Sequence, residues 1–257
     1  MKNDILIRLK QESASVTPDA LPSFYTDMSA ELASARDTFF SHPMIMRCRE
    51  DVLPFLNDEF GHGIEHSKKV AIECSALILG EASTLGLEQA RRLGLLAMLA
   101  GLLHDICRLE GDHAVRGADL ALLILRDYPL TDEEKQMIAD AVRCHEAFSE
   151  PVRFDHHGTQ LLADALYDAD KFRWGPDNFI TTLWEICNYQ EWTLQQILDK
   201  FPAGLEVVAS IQNTFRTPAG KIYGPEFIEL GLVMGRKIYK IIQAFCKKND
   251  CSGHITA

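Results

Sequence analysis

Apolar residues along this chain recur at three- and four-residue intervals, and no run alternates cleanly enough to predict a strand. Residues 1–11 read as a short helix, followed by a connector to Pro22 marked by Ser, Thr and two prolines, Pro18 and Pro22. Helices are expected near 23–39 and 43–59, the second bent at Pro54. The stretch 62–80 places His66, Val70, Cys74 and Leu77 on one stripe and ends at Gly80. A helix over 88–107 carries the small residues Ala97, Ala100 and Gly101, which would let neighbouring helices approach closely. Another spans 113–125 and stops near Tyr128-Pro129. Thr131-Asp-Glu-Glu134 has the pattern of a capping box, opening a helix with Ile138, Val142 and His145 along one side. Over 158–172, Leu162, Leu166 and Asp170 share a face. After Trp174-Gly-Pro176, Asp177 is expected to cap a helix running to about Lys200, with two more near 203–215 and 225–247. The pattern contains no repeat and no low-complexity linker. It predicts one all-α domain over 1–257.

Composition narrows the partners. A net charge of −11 argues against a nucleic acid polymer or an anionic membrane, both of which attract an excess of Lys and Arg. The seven cysteines are scattered without a CxxC pair, as expected of a reduced chain rather than a disulfide framework. The amino terminus is polar and interrupted by charge, unlike a signal peptide, and the apolar run Leu93–Leu103 is far shorter than the ~20 residues of a membrane span. A cytoplasmic protein is the expectation.

The chemistry concentrates on His104-Asp105, inside the apolar stretch Leu99-Ala-Gly-Leu-Leu-His-Asp-Ile-Cys107. Imidazole and carboxylate are costly to bury unless something charged or hydrogen-bonding offsets their desolvation. A metal cation is the simplest such partner. Adjacent helical residues point about 100° apart, so other segments must complete the shell. His66, His113, His145 and Asp170 supply candidates. Any one of them alone reads as a core histidine or a helix cap; the six together suit mixed nitrogen and oxygen ligation by Fe, Mn, Co, Ni or Zn.

The order His66 … His104-Asp105 … Asp170 resembles the HD-domain superfamily of all-α, metal-dependent phosphohydrolases, over roughly residues 60–175. Gly61-His-Gly-Ile-Glu-His-Ser-Lys-Lys-Val70 is similar to the family's first-histidine helix, Leu102-Leu-His-Asp-Ile106 to its dyad helix, and Ala169-Asp-Lys-Phe172 to its closing aspartate. His113-Ala-Val-Arg-Gly-Ala118 and Val142-Arg-Cys-His-Glu146 resemble segments that bring a second ion to some members. The Gly-Tyr-Pro signature of the cyclic-dinucleotide phosphodiesterases is missing. The resemblance implies an HD helical bundle over 60–175 with helical extensions at 1–59 and 176–257. It implies one ion on His66, His104, Asp105 and Asp170, and either a second on His113, His145 and a bridging Asp105 or a mononuclear site at which His113 and His145 contact substrate.

The function so implied is hydrolysis of a phosphate ester or anhydride, a nucleotide among the candidates, by a metal-activated water. Asp105, His62 and Arg108 are the candidate catalytic residues. The alternatives are an HD-type diiron oxygenase and a non-catalytic metal-binding sensor. Lys171 is expected to be a solvated charge, and His156-His157 to lie in a polar loop outside the motif. Asp168 competes with Asp170 for the ligand role, but its helical rotation points it elsewhere. Trp174, Trp184, Tyr189 and Trp192 read as core or pocket wall.

Overall fold

A computed structural model describes residues 2–56 and 63–248. Among these residues the secondary structure is helical throughout, with no strand. The amino-terminal part comprises α1 (Lys2–Ser13), the single turn α2 (Phe24–Asp27), α3 (Ser29–Ser41) and α4 (Pro43–Val52). The middle holds α5 (Ile64–Gly80), the single turn α6 (Ala82–Leu85), α7 (Leu87–Leu103), α8 (His113–Ile124), α9 (Asp132–Arg143) and α10 (His157–Phe172). A π-turn at Asn178–Thr182 leads into α11 (Leu183–Tyr189), α12 (Leu194–Ser210) and α13 (Pro218–Lys248). One contiguous apolar core runs from Leu9 to Cys246. No helix of the described residues is long and apolar enough to cross a membrane.

The pair α5 and α7 forms the centre, flanked by α3, α9 and α10. Their closeness is written into Gly101. A Cβ built there would lie 2.5 Å from Cα of Ala71, so only glycine lets the two backbones meet. Both helices are buried nearly all round, which is why their apolar residues cover more than one stripe.

Several boundaries differ from the sequence pattern. The helix expected over 88–107 stops at Leu103, and His104-Asp105 sits on the turns that follow. Unwinding there lets two adjacent side chains serve one centre, which helical geometry would have splayed apart. His145 lies two residues past the end of α9 rather than within it. Met28 breaks the first expected helix into α2 and α3. The single helix expected from Asp177 to Lys200 is instead the π-turn, α11 and α12, with a second capping box at Thr193 and Gln196. The helices expected to begin near 203 and 225 begin earlier, at Leu194 and Pro218, so that Pro202 and Pro225 lie inside α12 and α13. Packing overrides their local cost here. Phe215 lies where a Cβ at Gly224 would stand, so the residue before Pro225 gives up its side chain to that contact.

Behind the centre, a buried ion-pair network ties α10 to α5 and α2. Arg173 donates to Glu73 (2.6 Å) and to the Tyr25 hydroxyl (3.2 Å), while Tyr25 donates to the other oxygen of Glu73 (2.8 Å). Burial pushes Glu73 towards its neutral form, and Arg173 opposes this. Asp177, expected to cap a helix, pairs with Arg173 (2.5 Å) and Lys69 (2.9 Å) instead. Removing one partner of such a buried pair costs about 3–5 kcal/mol. An aromatic stack of Phe172 on Phe227, 4.2 Å between centroids and 4° from parallel, fastens the same end of α10 to α13.

The α5–α7 contact yields a direct test. Gly101→Ala gains about 1 kcal/mol of helix propensity, yet its methyl forces the helices apart at an overpacking cost of about 1–3 kcal/mol. Denaturant unfolding should show a lower midpoint and metal analysis a lower retained content, although no ligand changes. A midpoint equal to or above the wild type would refute the close-packing account.

Candidate metal centre

Five segments meet at the polar cluster. His66 comes from the first turn of α5, His104 and Asp105 from the turns after α7, His113 from the start of α8, His145 from beyond α9, and Asp170 from the last turn of α10. His104 is 0 % exposed, Asp105 3 %, His145 2 %, Asp170 5 % and His66 8 %, so the cluster belongs to the core. Asp112, the residue before His113, has φ 55°, in the left-handed region that aspartate tolerates better than most residues.

Three donors, from His66, His104 and Asp105, lie close enough together to hold one ion, and Asp170 stands beside the two imidazoles. Nε2 of His66 lies 3.1 Å from Nε2 of His104, 3.6 Å from Oδ2 of Asp105 and 3.3 Å from Oδ1 of Asp170. Nε2 of His104 lies 3.2 Å from Asp105 Oδ2 and 3.7 Å from Asp170 Oδ1. Ligands about 2.1 Å from a shared ion sit about 3.0–3.4 Å apart in octahedral or tetrahedral shells, so the spacing and the donor types fit a metal. The other carboxylate oxygen of Asp105 faces a second pair, 3.5 Å from Nε2 of His145 and 3.9 Å from Nε2 of His113. Asp105 is thereby shared between two donor sets, each of which could hold an ion.

The rings are oriented for ligation. A carbonyl has no proton to give, so the contacts from Nδ1 of His104 to Gly101 O (2.8 Å) and from Nδ1 of His145 to Val142 O (2.6 Å) make Nδ1 the donor. That tautomer leaves the Nε2 lone pair aimed into the centre. Glu146 does the same for His113, with Oε1 3.1 Å from Nδ1. On the far side, Arg108 donates to Nε2 of His113 at 3.0 Å. A second ion on His113 would displace this guanidinium, which is carried on an exposed side chain.

Electrostatics favour a cation. Burial opposes charge on His104, yet Asp105 and Asp170 hold its pKa above the ordinary imidazole value. Burial also opposes charge on Asp170, but Lys171, His66 and His104 hold its carboxyl well below the usual range. Burial, His145 and Arg108 push His113 down, towards the neutral form that ligates.

Lys171 is not the solvated charge its helical position suggested. It is 3 % exposed, donates to His145 O at 3.0 Å and pairs with Oδ2 of Asp170. It thus turns Oδ1 of Asp170 towards the histidines. The periodicity missed it because the last turn of α10 is enclosed on every side. Asp168 takes another role. Its carboxylate accepts from the backbone of Arg216 (2.8 Å) and Thr217 (2.8 Å) and from the Thr217 hydroxyl (2.7 Å), holding in place the hydroxyl that accepts from Gly220 N (2.8 Å) and caps α13. Burial pushes its pKa up to about 7, against these three bonds, which favour the anion. His156 caps α10 through Nδ1, accepting from Thr159 N at 3.2 Å. His62 lies outside the described residues. Trp184 is core, Trp174 and Trp192 line the pocket at the centre, and Tyr189 is exposed on α11.

Glu146 and the Glu73–Arg173 pair had not been singled out in the sequence. Glu146 follows a candidate ligand directly, a signal that was legible. Glu73 and Arg173 lie 100 positions apart, and no local pattern links them.

The shared carboxylate makes metal content a sharp readout. Asp105→Ala should abolish retention of a divalent transition metal while preserving a helical circular dichroism spectrum. His113→Ala or His145→Ala should lower the content by about one equivalent and leave the first ion in place. Full occupancy in Asp105→Ala would remove Asp105 from the ligand set, and unchanged stoichiometry in both histidine variants would make His113 and His145 substrate contacts.

No family model, curated protein or solved structure matches this chain.

Proposed function

We propose that the chain is a metal-dependent phosphohydrolase of the HD type, cleaving a phosphate ester or anhydride with His66, His104, Asp105 and Asp170 at one ion and His113, His145 and Asp105 at another. The observation that carries this reading is Asp105, whose two oxygens face two separate sets of imidazoles at the end of a pocket. A divalent ion held there lowers the pKa of bound water towards neutrality and polarises a phosphoryl oxygen.

The residues of the chain supply the rest. The carbonyls of Gly101 and Val142 fix the rings of His104 and His145, so the donors are positioned before substrate arrives. Lys171 holds Asp170 in place and adds a buried positive charge at the wall of the pocket. Arg108 lines the same pocket and reaches the centre at His113. Released from His113, its planar guanidinium suits two oxygens of a phosphate. Asp105, whose two oxygens face different sets of imidazoles, is the residue best placed to orient an attacking water.

Arg108→Ala should leave metal content unchanged and lower kcat/KM for phosphate release by about 10²-fold, as removal of a charge-stabilising donor does. Phosphate release should also persist without oxygen and with Mn²⁺ or Co²⁺ replacing iron, because hydrolysis requires no change of oxidation state. Activity that demands both iron and oxygen, with no phosphate released from nucleotides or phosphomonoesters, would replace this reading by the diiron oxygenase. Metal retention with no turnover of any kind would leave a sensor.

A further inference from the structure

The cavity at the metal centre does not end there. Its volume is about 480 Å³, within the range of about 300–1,000 Å³ that encloses a whole small organic molecule. Asp105, His113, His145 and Asp170 stand at one end, with Arg108 and Lys171 beside them. The rest is walled by the π-turn, α11 and α12, where Phe179, Leu183, Ile186, Trp192, Ile197 and Phe201 face the space. Polar groups on this wall are few: Asn178, Thr182 and Lys200, the last with Nζ 5.3 Å from the Trp192 ring centre.

We infer that the site takes a phosphate ester of an apolar alcohol, its phosphate at the metal centre and its alkyl, prenyl or aryl group in this chamber. The inference rests on the phosphohydrolase reading and specifies its substrate class.

Three observations support it. Charge is segregated: Asp105, Arg108, Glu146, Asp170, Lys171 and Arg173 come from the segments around the donor cluster, while the π-turn, α11 and α12 add only the exposed Lys200. A ribose and base would leave most of their hydrogen-bonding groups facing hydrocarbon, at about 1–3 kcal/mol for each unsatisfied group. The chamber is also kept open at a cost to local structure. Gly204 lies within α12 and lines the space, and a Cβ there would meet nothing within 4 Å. A glycine in a helix interior costs about 1 kcal/mol relative to alanine, and no close packing explains this one. Across the chamber the backbone leaves α-helical register in the π-turn that carries Phe179. Gly235 on α13 makes room for that ring, since a Cβ there would lie 2.5 Å from Phe179 Cε1.

The test uses the full chain loaded with Mn²⁺ and a series of n-alkyl phosphates from ethyl to octyl, below their micelle concentrations, beside a nucleoside 5′-monophosphate. Binding is read by calorimetry and turnover by phosphate release. Affinity should rise about threefold to fourfold per methylene until the chamber is full. Octyl phosphate should bind more tightly than the nucleotide. Gly204→Leu, on the exposed edge of α12, and Ile186→Trp, on α11, should each weaken octyl phosphate at least tenfold. Both should keep ethyl phosphate within twofold and metal content unchanged. Affinity independent of chain length, or a nucleotide that binds more tightly than octyl phosphate, overturns the inference whether or not phosphate is released. Chain-length-dependent binding without phosphate release upholds the apolar ligand and refutes hydrolysis instead.

Discussion

The carboxylate of Asp105, buried among imidazoles and shared between two sets of them, is the constraint around which the molecule is organised. Two carboxylates and three imidazoles lie almost wholly inside the core, with a fourth imidazole, His113, at its edge. Water cannot solvate them there, and the protein's own cations reach only the margins, Lys171 at Asp170 and Arg108 at His113. The Nε2 lone pairs and carboxylate oxygens that converge between them repel unless a positive charge lies in their midst. Asp105 and Asp170 accordingly hold the pKa of His104 above the ordinary imidazole value despite complete burial. A divalent cation would meet that demand, and the donors of His66, His104 and Asp105 lie close enough together to hold one.

Bringing these donors together constrains the scaffold. Five segments must end or begin within a few ångströms of one another, so helix termini rather than helix interiors supply most of the ligands. The carbonyls left over at those termini become useful: Gly101 and Val142 each receive a histidine Nδ1–H three residues on. The same glycine that lets α7 touch α5 thereby anchors a ligand. Stability and site geometry depend on shared contacts. The Glu73–Arg173–Tyr25 network adds to this coupling, because it holds the end of α10 that carries Asp170 and Lys171.

Chemistry and shape come from different parts of the chain. The donors all fall between His66 and Asp170. The apolar chamber is built by the π-turn, α11 and α12, which carry no ionisable cluster at the centre. Under the proposed function, the middle of the chain sets the reaction and the later helices select the molecule. Asp168 joins the two, since a residue two positions from Asp170 also holds Thr217, the cap of α13.

The sequence by itself determined that the chain is helical, where most of the middle helices run, and that His and Asp side chains on apolar stretches gather in the core. Periodicity carried the first two, and the cost of burying His and Asp on apolar stretches carried the third. Leu162, Leu166 and Asp170 illustrate this, since one helical stripe separated the aspartate that faces the imidazoles from Asp168, which is buried against Thr217. Tertiary structure alone decided the rest. Whether Lys171 met solvent depended on what enclosed the end of α10, and whether Pro202 or Pro225 broke a helix depended on packing that outweighs a local cost. The pairing of Glu73 with Arg173, the unwinding of the chain after Leu103 and the chamber beside the metal centre all join residues distant in sequence. Each arises from the surfaces of several helices meeting, and no local pattern encodes where such surfaces meet.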